Sequence, residues 1–139
     1  MSIELHVLLE KKRVPDRASL QKTVESLALP LALDPSLDLM KAKGFSPCKI
    51  KGISSGCEIY SESPQELLAT HHALRKAIGA RDWCISFRWS GDMKECACAM
   101  AVSAAIVKLC DAVAYDPEED QTCDLKSLLQ DAQACLNEF

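Results

Sequence analysis

The chain has 139 residues, long enough for one domain with a real core, and its 48% apolar and 26% charged content is ordinary for a globular protein. Aromatic residues are only 5%, which argues against stacking platforms for nucleic-acid bases. The net charge of −4 is uneven: residues 111–139 carry eight acids against the single base Lys126, a balance of −7 that leaves residues 1–110 near +3. That acidic segment repels nucleic acid and anionic membranes and suits a basic partner.

The N-terminus, MSIELHVLLEKKR, mixes charges into its apolar residues and offers no small-residue cleavage site, so it does not read as a signal peptide. The expected compartment is the cytoplasm. There the eight cysteines are expected to stay reduced and to pack as small hydrophobes, with no disulfide framework.

Ile3, Leu5, Val7 and Leu9 alternate with Glu4, His6, Leu8 and Glu10, predicting a half-buried strand over 3–9. Asp16 is placed to cap a helix that presents Leu20, Val24, Leu27 and Leu31, with Pro30 at its end. Pro35, Gly44 and Pro47 make 31–47 read as a long connection with one short helical turn at 37–41. A hairpin is expected next, with strands over 48–53 and 57–61 around a turn at Ser54-Ser55-Gly56.

Ser63-Pro64-Gln65-Glu66 combines an N-cap serine, a first-turn proline and a capping-box glutamate. It predicts one helix running to Gly79, with Leu67, His71, Leu74 and Ile78 on one stripe and Leu68 beside it. The segment 82–89, DWCISFRW, is the clearest strand: Trp83, Ile85, Phe87 and Trp89 share one face, and Cys84, Ser86 and Arg88 the other. Asp92–Asp111 reads as a buried helix capped by Asp92 and Glu95, and between Cys96 and Val107 its only polar side chain is Ser103. Its apolar run of about 12 residues is too short to cross a bilayer. A short strand over 112–115, a break at Asp116-Pro117 and an amphipathic helix carrying Leu125, Leu128, Leu129, Ala132 and Leu136 complete the chain.

The order β-α-β-β-α-β-α-β-α predicts a single α+β domain over 1–139. The expected form is a two-layer sandwich: a ferredoxin-like β-α-β-β-α-β core with a βα extension, and helices on one face of a mainly antiparallel sheet. The other face would be open and carry Glu4, His6, Lys49, Lys51, Glu58, Tyr60, Glu62 and Arg88.

No spacing points to a cofactor or a metal. Cys96 and Cys98 lie two apart on a helix, so their sulfurs diverge by about 200°. His71-His72 lack the i, i+4 spacing of a helical metal pair, and Asp116, Glu118, Glu119 and Asp120 lack the interleaved, glycine-bearing pattern of a calcium loop. Phosphate-binding glycine loops and the nucleophile elbow are absent from the sequence. His6, flanked by Glu4 and Glu58 on the open face, is the better general-base candidate.

Four stretches carry a resemblance: Gly44-Phe45-Ser46-Pro47, Ser55-Gly56-Cys57-Glu58-Ile59-Tyr60, Phe87-Arg88-Trp89-Ser90-Gly91-Asp92 with Glu95, and Tyr115-Asp116-Pro117. Over 44–117 the chain resembles a group of small bacterial proteins, some of them of the immunity type, encoded beside secreted antibacterial toxins. The resemblance implies a protein of the immunity type and carries no functional residue with it. Small size, the lack of cofactor motifs and the acidic C-terminal segment suit a cytoplasmic, non-enzymatic binding protein that occludes the active site of a basic toxin, and the residues offered for that contact are Glu118, Glu119 and Asp120, or Glu58, Tyr60, Arg88 and His6 on the sheet face. Two alternatives come from the residues. One is a small enzyme or ligand-binding domain using His6, Tyr60 and Arg88. The other is a homodimer or larger oligomer packed through the Ala-rich helix. Nucleic acid and membrane are not expected partners.

Overall fold

The computed structural model describes residues 2–139. Seven strands form one sheet: β1 (Ile3–Leu9), β2 (Leu31–Leu33), β3 (Lys43–Ile50), β4 (Ile53–Glu62), β5 (Trp83–Trp89), β6 (Val113–Asp116) and β7 (Gln121–Cys123). They lie in the order β2-β3-β4-β5-β1-β6-β7, and every neighbouring pair is antiparallel. The helices are α1 (Arg17–Ser26), α2 (Gln65–Thr70), α3 (His72–Ala77), α4 (Met93–Cys110) and α5 (Leu125–Leu136). The domain is α+β as expected, with more strands than a ferredoxin-like core holds.

The period-2 pattern of β1 and β5 sets the core. Leu5, Val7, Leu9, Ile85, Phe87 and Trp89 turn to one face, where the alanines of α4 meet them. Ala97, Ala101, Ala104 and Ala105 are all buried, and their small side chains let the helix axis lie close to the sheet. Both ends of α4 are fixed by local chemistry. The Asp92 carboxylate accepts from the Lys94 and Glu95 amides, Glu95 accepts from the Ser90 amide, and Asp111 ends the helix at φ 52°. Helices α1 and α5 complete this layer and pack against α4.

Several expectations need correction. The helices are not confined to one face: Leu74 and Ile78 of the α3 segment pack on Leu8, Cys84 and Tyr115, on the face opposite α4. The single helix over 63–79 is two, because His71 is extended (φ −127°, ψ 91°). Side chains compete for the last carbonyls of α2 there, with Thr70 Oγ1 bonding the Glu66 and Leu67 oxygens and His71 Nδ1 bonding Leu67 O at 2.9 Å.

The β3–β4 turn is Lys51-Gly52, both at positive φ (52° and 75°) as a two-residue hairpin loop needs, and Ser54-Ser55-Gly56 lies inside β4. Strand β3 therefore starts at Lys43, within the supposed connection. Pro47 is tolerated because β2 pairs only with 48–50, leaving an edge at Pro47 where no amide is needed. Lys51 is not on the open face: its ammonium donates to the Leu136 carbonyl at 2.6 Å, beside α5. The cysteines are not all free either, since Cys96 and Cys135 form a disulfide joining α4 to α5. As the 200° divergence requires, Cys98 points elsewhere and is buried as a free thiol.

Candidate functional site

The face opposite α4 is built of three rows across the sheet, each fixed by strand register. The outer row runs Phe45, Glu58, Arg88, Glu4. The middle row runs Lys43, Tyr60, Ser86, His6, Tyr115. The inner row runs Glu62, Cys84, Leu8, Val113. Burial is deepest at Leu8, Cys84 and Tyr115, which Leu74 and Ile78 cover, and least at Phe45, which is 64% exposed.

The rows enclose a recess of about 230 Å³ lined by Glu4, His6, Tyr60, Glu62, Ser86 and Arg88. Larger recesses of about 540 and 410 Å³ lie along the β2–β3 edge, but the carboxylates there serve local turns: Asp34 accepts from the Ser36 amide and Asp38 from the Met40 amide. The smaller recess gathers His6, Glu62 and Ser86 into one hydrogen-bonded group and Arg88 and Glu4 into an ion pair.

Its inner end is a hydrogen-bonded hub. Ser86 Oγ lies 2.7 Å from His6 Nδ1, 2.8 Å from Glu62 Oε1 and 3.3 Å from Cys84 Sγ. A carboxylate can only accept, so the one hydroxyl proton goes to Glu62, while the His6 Nδ1–H and the Cys84 S–H donate to Ser86. This arrangement needs a protonated thiol, while the Nδ1–H donor is present in neutral and charged imidazole alike. Burial pushes the Cys84 thiol up to about 12, and it favours the neutral ring by lowering the His6 pKa against the opposing pull of Glu4 and Glu62. His6 Nε2 is left with its lone pair.

The outer end is charged. Arg88 donates to Glu4 Oε1 from both Nη2 (2.8 Å) and Nε (3.2 Å), and its guanidinium sits 5.5 Å from the Tyr60 ring centroid. The Glu4 hydrogen bonds raise the Arg88 pKa, and the Tyr60 hydroxyl, donating to Glu58, has its pKa raised chiefly by that bond. Phe45 is held in place although exposed. A Cβ on Gly56 would lie 2.6 Å from Phe45 Cζ, so the ring rests across that glycine. This contact links two of the four motif stretches, Gly44–Pro47 and Ser55–Tyr60.

The sequence therefore placed Glu4, His6, Glu58, Tyr60, Glu62 and Arg88 on the right face, and the structure brings His6, Tyr60 and Arg88 into one recess. It does not bring Glu118, Glu119 and Asp120 into it. They form the β6–β7 turn, where Asp116 accepts from the Glu118 and Glu119 amides and Asp120 accepts from the Tyr115 hydroxyl. Burial and that carboxylate push the Tyr115 pKa up to about 12, and His71 packs edge-on against the same ring at 5.4 Å. Continuing the β6 register on β1 places this turn level with Glu4, so it extends the outer row at the sheet edge. Sequence reasoning missed Ser86 and Phe45 as site residues. Ser86 was visible only as one polar residue in DWCISFRW, and Phe45 was hidden in a supposed connection.

Fold and site define an open antiparallel α+β protein with a polar, partly capped sheet face. Compared with family models, curated proteins and solved structures, the chain matches none. Among the described residues, no helix is long and apolar enough to cross a membrane.

Proposed function

We propose that the chain is a non-enzymatic binding protein of the immunity type, which docks the outer row of its polar sheet face onto a basic surface of a partner toxin and occludes that partner's active site. The observation that carries this is Phe45: a large aromatic side chain, 64% exposed, braced over Gly56 and set beside Glu58, Tyr60, Arg88 and Glu4. A rigid aromatic anchor flanked by charge is the usual make-up of an interface hot spot. Two of the row's three charges are acidic, and the turn carrying Glu118, Glu119 and Asp120 adds more at the same end, so the complementary surface is basic.

Co-expression with the product of the neighbouring open reading frame tests the reading. The wild-type chain rescues growth and binds that product. Phe45→Ala weakens the complex by about 2 kcal/mol or more, and Glu58→Lys weakens it further with a smaller salt dependence. A neighbour that is no toxin, or a complex indifferent to both changes, overturns it. The cytoplasmic compartment belongs to the same proposal, and the Cys96–Cys135 disulfide is where it can fail, because such bonds persist in oxidising compartments.

The hub favours a second reading, a small ligand-binding domain or enzyme. A neutral His6 with Nδ1 engaged and Nε2 free, at the wall of a recess that also holds Tyr60 and Arg88, is arranged as a general base. Retention of small acidic metabolites by the wild-type chain and their loss in His6→Asn would support this reading over docking.

A further inference from the structure

His6, Glu62 and Cys84 bring one ring nitrogen, one carboxylate oxygen and one sulfur to within 4.8 Å of each other. They stand on β1, β4 and β5, three neighbouring strands, so their spacing is set by the sheet ladder and not by a loop. We propose that these three side chains bind a zinc-class divalent ion, with the fourth coordination position turned toward the recess. The site does not depend on what docks against the outer row.

The donor set is the one such an ion takes. Zinc is held by imidazole, thiolate and carboxylate, and three protein ligands with one open position is its usual arrangement where a further group must reach it. A neutral imidazole, one thiolate and one carboxylate also cancel the ion's double charge. That matters where Cys84 is 1% and His6 8% exposed, since an uncompensated charge so placed would be costly.

The geometry marks the position and the obstacle. All three donors point at one atom, Ser86 Oγ, at 2.7, 2.8 and 3.3 Å. Zinc needs bonds of about 2.0–2.1 Å to nitrogen, 2.0–2.2 Å to oxygen and 2.3 Å to sulfur, so the ion sits among the three donors but off that point, clear of the Ser86 Cβ, and the donors, which lie within 4.8 Å of one another, draw in around it. The hydroxyl must leave first, which one rotation between staggered serine rotamers achieves. Glu62 is exposed at the end of β4 and free to follow, while His6 and Cys84 are held by the sheet. In this account Ser86 competes with the ion. In an account without an ion, Ser86 is merely the satisfied centre of a polar cluster. Only in the first account does its removal tighten the binding of an ion.

The purified full-length chain is titrated with Zn²⁺ against a chromogenic chelator, and with Co²⁺ for the thiolate charge-transfer band that only a sulfur ligand gives. One ion per chain is expected, with the Co²⁺ band present. Cys84→Ala abolishes the band. His6→Ala and Glu62→Gln weaken binding by at least the roughly 10–100-fold that follows loss of even an outer-shell partner. Cys123→Ala, at the most accessible free thiol, changes nothing. Ser86→Ala tightens binding, and zinc at about 100 times its dissociation constant lowers the unfolding equilibrium constant of the wild-type chain about 100-fold. Absence of one-to-one binding in the wild type, a Co²⁺ band that survives Cys84→Ala, or a Ser86→Ala chain that binds no more tightly each overturns the site. The wild-type stoichiometry and the Cys123 and Ser86 variants keep the test decisive even where a ligand variant folds poorly.

Discussion

The two faces of the sheet solve opposite problems with the same strands. Toward α4, Leu5, Val7, Ile85, Phe87 and Trp89 meet a helix of alanines, and the contact is apolar with Cα and Cβ atoms close together. Toward α2 and α3, the residues between them (Glu4, His6, Ser86 and Arg88) form rows of hydrogen-bonded and charged groups that these two short helices cover in part. One face is specified by size, the other by polarity and register. The apolar face carries most of the core, while substitutions at the exposed residues of the outer row change chiefly what the surface presents.

The largest effect belongs to the α4 layer. The Cys96–Cys135 bond spans a sequence separation of 39 residues and fastens α5 to α4. Its removal by the double change Cys96→Ala, Cys135→Ala lowers unfolding free energy by about 2–4 kcal/mol in urea titrations. Six titratable thiols are expected in the unreduced, denatured chain, and a count of eight would refute the bond. Next comes packing. Ala101 is 1% exposed, and Ala101→Leu forces α4 off the sheet, costing about 1–3 kcal/mol. Lys108→Leu, at an exposed position of the same helix, should cost almost nothing, and an equal cost at both sites would mean the apolar face is not close-packed.

This contrast also explains what the sequence disclosed. The α4 face is written locally: an unbroken small apolar run, an Asp92 cap and a period-2 strand each carry their own signal, so Asp92–Asp111 and DWCISFRW were legible residue by residue. The strand phases were legible too, which put Glu4, His6, Glu58, Tyr60, Glu62 and Arg88 on the correct side. The grouping of those residues was not. His6 meets Ser86 across 80 residues of chain, and Glu62 meets it across 24, distances at which no motif spacing applies. Short strands escaped for a different reason: β2 and β7, three residues each, are too brief to show a period and exist because a neighbouring edge is there to pair with. The break at His71 came from side-chain competition for carbonyls, which propensity and capping patterns do not register.

On the polar face the strongest backbone requirement is Gly56, at φ 152° inside β4. An added Cβ would lie 2.4 Å from the Ser46 carbonyl oxygen as well as against Phe45. The ring can swing aside, but the β3 backbone cannot without breaking the ladder. Gly56→Ala is expected to cost about 1 kcal/mol or more, from the positive φ together with that clash. It should also dislodge Phe45, so a partner that needs the ring is lost along with the stability. A variant that loses stability but binds normally would separate Phe45 from recognition.

The smallest effect is the one that tests the hub itself. Burial lowers the His6 pKa below its ordinary value, with Glu4 and Glu62 opposing and His71 and Arg88 assisting. As pH falls through about 6.5, the unfolded chain takes up a proton that the folded chain still refuses. More protons are then bound in the unfolded state, so stability falls with falling pH, until the pH passes the folded value and the loss is complete. Above about 6.5 His6 contributes nothing to the slope. For one group the loss stays under about 1.4 kcal/mol per pH unit. His6→Asn keeps a donor for Ser86 and removes the titration, so its stability should be flatter than wild type between pH 6.5 and about 5, before the carboxylates take over. The sign discriminates. A hub built around an imidazolium ion paired with Glu62 would make the wild type gain stability over the same interval. A wild-type slope parallel to that of His6→Asn would place His6 in solvent and take it out of the hub.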